Sequence, residues 1–379
     1  MRKLLVIGGA TVGVRSDSFI TKVPIADYLH ELAKRFDSCV WVAAIHSEDL
    51  DGARLDPDLV RVIPLAPGRK NYPRSWMTLI SLVRSKPYIL YYLPNPYLPV
   101  LPLVRHGARR LVIYLANDYE MILGRSATAK WPGWSFLFRL SYEVPLRAAD
   151  AVIARGKRLN ELARRFNPNV YQTVPIGYVP RFANSKLPDI LSNDQALRVL
   201  YVGKLLKSKG VDDLIKAMQF VTKDHPLQKV LLDIVGHGQD QAELEQLVTA
   251  SGLEPIVTFH GWVGSEGVID QLYRSAHVLV VPTSTYPEGV PRVIDEALMR
   301  GVPVVATRVG GIPEEFTDDE VMLVEPSSPE QLARAIEAMI FDPQMRQRYL
   351  AGAQRRSALW AQYGSAAQQH ARILLGELE

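Results

Sequence analysis

Short apolar runs alternate along this chain with longer stretches in which apolar positions recur every three or four residues. Leu4–Ile7, Val40–Ile45, Tyr88–Leu93, Leu111–Leu115, Ala151–Ala154, Val199–Val202, Val230–Val235, Ile256–Phe259 and Val302–Ala306 read as buried strands. Helical spacing predicts helices over Val23–Phe36, after Arg155-Gly156-Lys157, from Val211 onward, and over Glu330–Phe341 and Pro343–Tyr363. Strands alternating with helices predict βαβ units and parallel sheets, hence an α/β protein. The piece between Leu93 and Leu111 is punctuated by proline and is expected to be an irregular helix. Val174–Gln195 is rich in Pro, Asn and Ser and reads as a linker.

With 379 residues the chain is long enough for two domains. The linker divides it into residues 1–178 and a second domain that begins at 179. Hydrophobic residues at 47% and charged residues at 22% fit a soluble globular protein. Cys39 is the only cysteine, so no intrachain disulfide can form, which favours a reducing compartment such as the cytoplasm. The opening Met1-Arg2-Lys3 and its apolar run imitate a secretion signal, but glycines end the run too early. Pro87–Val104 is 18 residues without a charge, yet it holds five prolines and is not expected to form a membrane helix.

The formal charge of +4 conceals an asymmetry. Residues 1–178 carry 25 Lys/Arg against 14 Asp/Glu, a net +11, and residues 179–379 carry 19 against 26, a net −7. A basic first half suggests an anionic partner, either a membrane surface or an acidic acceptor; scattered solubilising charge is the alternative. The segment Arg125–Arg147 mixes basic residues with Trp131, Trp134, Phe136 and Phe138, which fits an interface-seeking helix or a buried core with a basic rim. No nucleic-acid-binding motif is present.

The candidate chemistry is concentrated in Pro282–Gly311, PTSTYPEGVPRVIDEALMRGVPVVATRVGG. It reads as a turn, a helix from Pro291 stopped at Gly301, a strand and a glycine pair. Glu288 lies in the turn and Glu296 inside the helix, with seven residues between them. The amides of Gly289 and Arg292 at the helix start suit an anion. Earlier, Gly8-Gly9-Ala10-Thr11-Val12-Gly13 follows the first strand and fits a loose G-x-A-x-x-G dinucleotide loop. Asp56-Pro57-Asp58 has the spacing of a metal-holding pair, but beside proline it reads as an ordinary turn. No metal-spaced Cys/His cluster occurs.

Glu288-x7-Glu296 in this frame resembles the signature of retaining glycosyltransferases of family 4, which have the GT-B fold: two Rossmann-like domains facing each other across a cleft. Gly203-Lys204-Leu205-Leu206-Lys207-Ser208-Lys209-Gly210 resembles that family's Gly-Arg-Leu-x3-Lys-Gly motif, with Lys204 at the arginine position. Lysine keeps the charge there and loses the bidentate fork. The resemblance implies that Glu288 faces the donor sugar and Glu296 holds the ribose. It implies that Lys204, Lys209 and the helix start at Gly289, Val290 and Pro291 grip the diphosphate, with the base near Gly236, Gly238 and Val263. Gly13 would approach the diphosphate from the first domain, or serve as a plain strand–helix turn. Asn117 and Asp118 stand where many relatives carry a histidine; Asp118 is a sugar or acceptor ligand, or a helix N-cap. His237 and His260 are candidate ligands, each also explained as a packing or surface residue. In position, the last segment matches the family helix that packs back on the first domain, giving domains 1–178, 179–358 and a returning helix, 359–379.

The expected function is retaining, metal-independent transfer from a UDP- or GDP-sugar to a glycan, lipid-linked or small-molecule acceptor, with no cofactor beyond the donor. The expected setting is cytoplasmic, with peripheral contact at the inner face of a membrane left open. A non-catalytic nucleotide-sugar binding protein and an NAD-dependent oxidoreductase using Gly8–Gly13 are the rival readings.

Overall fold

The computed structural model describes residues 1–15, 18–21, 23–45, 53–65, 72–93, 101–115, 132–176, 196–285 and 289–378. The chain divides into two compact units, Met1–Gly177 with Gly364–Glu379, and Tyr178–Tyr363.

The first unit holds a nine-stranded sheet. Its strands are β1 (Lys3–Arg15), β2 (Ser18–Thr21), β3 (Ser38–Ile45), β4 (Ala53–Arg54), β5 (Val60–Leu65), β6 (Tyr88–Leu93), β7 (Arg110–Leu115), β8 (Ala151–Ala154) and β9 (Val170–Tyr171). The parallel part runs β5-β3-β1-β6-β7-β8-β9. β2 and β4 extend the far end of β1 as an antiparallel flap. β6 and β8 are buried at every position, as are Leu4–Ile7 of β1 and Leu111–Ile113 of β7, as strands covered on both faces must be. β5 carries Arg61 and Pro64, which dilutes the apolar signal of an otherwise regular edge strand.

The expected glycine loop after the first strand is overturned. β1 does not end at Ile7; it continues to Arg15. Its register with β3 shifts between Ile7 and Thr11, so Gly8-Gly9-Ala10 is a bulge within a strand. Gly8 and Gly9 take positive φ of 83° and 93°. Trp41 Nε1 donates to the Gly8 carbonyl at 2.9 Å. Gly13 is buried and paired with Ile20 of β2, so it stands in a strand and not at a strand–helix turn. The helix Val23–Ala33 begins only after β2. A dinucleotide loop needs amides aimed out of a helix start, and here Gly8–Gly13 lies inside β1.

The C-terminal helix Ala366–Leu375 belongs to the first unit. Ser365 caps it, accepting from the Gln368 N–H. It buries His370 completely. The ring nitrogens face the Tyr28 hydroxyl at 2.7 Å (Nδ1) and the Thr173 hydroxyl at 3.0 Å (Nε2), and Tyr92 Oη donates to Tyr28 Oη at 3.3 Å. Gln368 donates to Glu31 of the helix Val23–Ala33.

The second unit extends to Tyr363, further than residue 358. The reason is a single helix, Pro343–Tyr363, with Tyr349, Ala353 and Trp360 buried along it, that stops at Gly364 with φ 72°. The sheet of this unit contains β10 (Leu197–Val202), β11 (Val230–Val235), β12 (Val257–Gly261), β13 (Val278–Val281), β14 (Val304–Thr307) and β15 (Met322–Val324). All pair in parallel, in the order β12-β11-β10-β13-β14-β15. Alternate residues feed two cores: Val199 and Tyr201 pack with the helices Val211–Asp224 and Pro329–Phe341, while Leu200 packs with Glu266–Ser275 and Arg292–Met299. The order reverses between β10 and β13. Open α/β sheets bind ligands at such a point, beyond the carboxyl ends of the strands.

Candidate functional site

Four loops meet at that reversal, and their backbones approach so closely that side chains are excluded. The Gly203 N–H donates to the Val235 carbonyl at 2.9 Å and the Leu205 N–H to the His237 carbonyl at 3.0 Å. The loop after β10 therefore lies along the loop after β11. A Cβ on Gly236 would sit 1.8 Å from the Gly203 oxygen, and one on Gly238 2.1 Å from the Leu205 oxygen. Gly236 also takes φ 130°. The glycine pair is thus explained by backbone contact between two loops, and its N–H at Gly236 bonds the Gly261 carbonyl at the end of β12.

The same loop reaches the other side of the reversal. Lys207–Lys209 forms one tight helical turn, closed by Gly210 at φ 66°. A Cβ on Gly210 would lie 2.0 Å from the Pro282 oxygen. The Ser284 N–H donates to the Ser208 carbonyl at 3.0 Å, and the Ser284 hydroxyl to the Lys207 carbonyl at 3.2 Å. Thr307, at the end of β14, donates to the Thr283 carbonyl at 2.6 Å. The lysine loop is therefore fastened to the start of the carboxylate segment. Lys204 is exposed and Lys209 partly buried. Tyr201 Oη fixes the Lys204 carbonyl at 2.8 Å, and the Lys207 N–H is capped by Asp240 at 2.6 Å.

Glu288 lies outside the described residues, as does Asp118. The helix after Glu288 is Arg292–Met299, and Pro291 is its N-cap residue with φ −63° and ψ 123°. Gly289 is exposed, with open space where a Cβ would stand. Val290 is partly buried and its Cγ2 would lie 3.2 Å from a Cβ on Gly311, whose N–H donates to the Gly289 carbonyl at 3.2 Å. Gly301 ends the helix at φ 73°, with the Val302 N–H reaching back to the Ala297 carbonyl.

Glu296 is partly buried and accepts from Tyr273 Oη at 3.0 Å. Burial raises its pKa, opposed by the positive charge of Arg292, the Tyr273 hydrogen bond and Arg300. Tyr273 was not foreseen; in sequence it is one apolar position of a regular helix, Glu266–Ser275. Arg300 and Asp270 were not foreseen either. Arg300 bonds Asp270 at 2.8 Å and the Glu296 carbonyl at 3.0 Å, and stacks over the Tyr273 ring at 4.8 Å.

The remaining candidates fall in different places. Val263 is partly buried against the second core. His237 meets Trp262 edge to face at 5.8 Å, and Trp262 is half exposed. His260 contacts Asp233 at 2.8 Å, and Asp233 also accepts from Arg198 at 2.6 Å, so His260 belongs to a hydrogen-bonded polar cluster on the sheet. Gly13 lies in the other unit. Asp56 accepts from the Asp58 N–H at 2.9 Å, an Asx turn, as its proline context suggested. Among the described residues no group of three or more His, Cys, Asp or Glu is placed to hold a metal ion, and no helix is long and apolar enough to cross a membrane. The side chains of Trp131, Trp134, Phe136 and Phe138 lie outside the described residues; in the same segment Arg139 and Arg147 both pair with Glu143.

Residues 184–356 match the family model "Glycosyl transferases group 1", which leaves the first unit and the C-terminal helix unmatched. Over 151 residues the chain is 34% identical to the uncharacterised glycosyltransferase MJ1607 of Methanocaldococcus jannaschii, covering 39% of this chain and 37% of that protein. It is 31% identical over 239 residues to TuaC of Bacillus subtilis, a candidate teichuronic acid biosynthesis glycosyltransferase, covering 61% and 57%. It is 33% identical over 151 residues to the D-inositol 3-phosphate glycosyltransferase of Arthrobacter sp. (strain FB24), covering 39% and 35%. The chain thus spans between about a third and three fifths of the length of these relatives. Among solved structures, the Anabaena protein HepE in complex with UDP aligns over 100% of both chains, with a TM-score of 0.71 at 20% identity. WaaG, a glycosyltransferase involved in lipopolysaccharide biosynthesis, aligns over 98% of this chain and all of that one, with a TM-score of 0.69 at 17% identity. Two Rossmann-like α/β units and these likenesses give the fold class as GT-B.

Proposed function

We propose that this protein is a retaining glycosyltransferase that takes its sugar from a UDP- or GDP-sugar bound on the second unit. The observation that carries the reading is the fastening of the Gly203–Gly210 loop to the Pro282–Thr285 segment across the strand reversal. That fastening brings a lysine-bearing loop and a carboxylate-bearing segment to the carboxyl ends of neighbouring strands, where a nucleotide is received. The match of residues 184–356 to glycosyl transferases group 1, and UDP on HepE, support the same donor class.

In this reading Lys204, Lys209 and the amides of Gly289, Val290 and Arg292, at the helix start that Pro291 sets, receive the diphosphate. Cations there stabilise charge that grows on the leaving group as the glycosidic bond breaks. Glu296 accepts the ribose hydroxyls and Glu288 faces the sugar. The base lies beside Gly236–Gly238 and Val263, on backbone groups. Attack comes from the face the leaving group departs, and the leaving phosphate takes the acceptor's proton. The acceptor is a glycan, a lipid-linked glycan or a small hydroxyl compound, and Asp118 is offered as its ligand or the sugar's.

Diphosphate neutralisation by lysine makes the reaction independent of a metal ion. Activity that is lost in EDTA and restored by Mn²⁺ or Mg²⁺ would contradict this. The +11 charge of residues 1–178 supports contact with an anionic membrane. Its test is co-sedimentation with anionic vesicles that falls as salt rises, against no binding to either anionic or neutral vesicles. The test of the function itself is incubation with a panel of UDP- and GDP-sugars: release of nucleotide dependent on a hydroxyl acceptor supports it. Nucleotide binding without turnover on any acceptor favours the binding-protein alternative.

A further inference from the structure

Glu296 does not stand alone in its helix. Its carboxylate points at a braced phenol on the facing helix. Tyr273 is fully buried, and its hydroxyl donates to Glu296 Oε2 at 3.0 Å. Among the described residues it is the only hydrogen-bond donor to that carboxylate. The Tyr273 ring is covered by the Arg300 guanidinium, 4.8 Å from its centroid. Arg300 is itself only 7% exposed, and it links the end of the Glu296 helix to the helix of Tyr273. Nε donates to Asp270 Oδ1 at 2.8 Å, on the helix of Tyr273, and Nη1 donates to the carbonyl of Glu296 at 3.0 Å. Arg274 holds the other Asp270 oxygen at 2.6 Å. A buried guanidinium is tolerated only when its donors are met by charge and carbonyls, and here they are.

We propose that Tyr273, braced by Arg300 and Asp270, is a positioning residue that holds Glu296 in the one orientation in which its carboxylate can accept the nucleotide's ribose hydroxyls. This rests on the donor-binding reading above. One oxygen is fixed by the phenol, which orients the plane of the carboxylate and leaves Oε1 and the remaining lone pair of Oε2 to a vicinal diol. The phenol remains a neutral donor throughout the working pH range, because burial and then the adjacent Glu296 charge push its pKa well above 10. Its hydrogen bond also favours the ionised form of Glu296 against the burial that disfavours it.

Other charged groups among the described residues act on Glu296. On its own helix Arg292 favours its charge and Asp295 opposes it, and Arg300 favours it from the helix end. The helix Pro343–Tyr363 packs on Arg292–Met299, and its Arg356 is engaged by Glu315 and Glu320. Removing the phenol hydroxyl therefore raises the pKa of Glu296 and frees its rotamer, while Arg292 and Arg300 keep their opposing charge.

The experiment is calorimetric titration of the full-length protein with UDP and with GDP, from pH 5 to pH 8, for wild type, Tyr273→Phe, Arg300→Gln, Glu296→Gln and Tyr273→Phe/Glu296→Gln. Tyr273→Phe should weaken the preferred nucleotide about tenfold and move the acid limb of the affinity profile to higher pH. Arg300→Gln should move that limb the same way by less, and keeps the test open if Tyr273→Phe does not fold. The double variant should bind as Glu296→Gln alone does, since both changes act through one carboxylate. The 2′-deoxynucleoside diphosphate should show a smaller loss with Tyr273→Phe. If Glu296→Gln weakens binding while Tyr273→Phe and Arg300→Gln leave affinity and acid limb in place, the positioning role is refuted and the donor site stands. If Glu296→Gln binds as wild type, the ribose assignment itself fails.

Discussion

The two units share a mainly parallel, helix-covered sheet, but they close their strand ends differently. In the second unit backbone meets backbone: Gly236, Gly238 and Gly210 each stand where a Cβ would enter a carbonyl oxygen, at 1.8, 2.1 and 2.0 Å. In the first unit backbone meets side chain: a Cβ on Gly9 would lie 3.0 Å from the Tyr92 ring. The first arrangement cannot yield, and it fixes a set of loops around a strand reversal. The second can relax by moving a ring. The lesson is that a glycine-rich strand end signals a binding loop only where the glycines answer to another main chain. Gly8–Gly13 looked like a phosphate loop and is a bulge in a strand.

The sharpest way to break that contrast is Gly236→Ala. It demands a φ of 130° and a 1.8 Å contact, so the second unit should lose about 4 kcal/mol or more, read as chemical denaturation of the full chain. An unchanged midpoint would show that the loops are not in backbone contact.

Acid should separate the units next. Burial depresses the pKa of His370 to about 3 and that of His277 to about 4. An unfolded histidine binds its proton near 6.5. In each case the unfolded chain holds more protons below that pH. The stabilisation is therefore complete above about 6.5 and is lost as pH falls toward the folded value. Both windows are open down to pH 4, where each histidine costs on the order of a few kcal/mol, and that of His370 extends to about 3, so the first unit should weaken more below pH 4. His370→Gln should flatten the acid limb of unfolding. His277, whose Nδ1 accepts from the Arg198 N–H, should matter less when replaced the same way. Equal acid sensitivity of wild type and His370→Gln would overturn this.

Lys209→Ala should lower kcat about tenfold and raise the donor KM less, because it removes a cation from charge that develops in the transition state. A change confined to KM would make Lys209 a ground-state contact only. The smallest effect belongs to Gly289→Ala, which meets open space and should alter stability by no more than about 0.5 kcal/mol.

Much of the second unit was legible because its residues carry their reasons locally. The strand Val230–Val235 and the helix Pro343–Tyr363 have the expected bounds, and Gly301 stops its helix as expected. What escaped is non-local. β13 is only four residues, Val278–Val281, and merges with the turn that follows. β2 and β4 exist because β1 continues beyond its bulge, and nothing in Ser18–Thr21 or Ala53–Arg54 announces a partner. The brace around Glu296 joins Asp270, Tyr273, Glu296 and Arg300 from two helices, a pairing that no spacing along one helix reveals.

The central claim is that the strand reversal of the second unit holds a nucleoside diphosphate with its sugar toward Glu288. It is tested most directly by Glu288→Ala and Glu296→Ala, each measured by calorimetry with UDP and GDP and by steady-state transfer. Glu296→Ala should weaken the free nucleotide about 10-fold or more, while Glu288→Ala should leave it nearly unchanged and lower turnover by about 10- to 150-fold, the range of one charged hydrogen bond. Wild-type affinity and turnover in both variants would contradict the account.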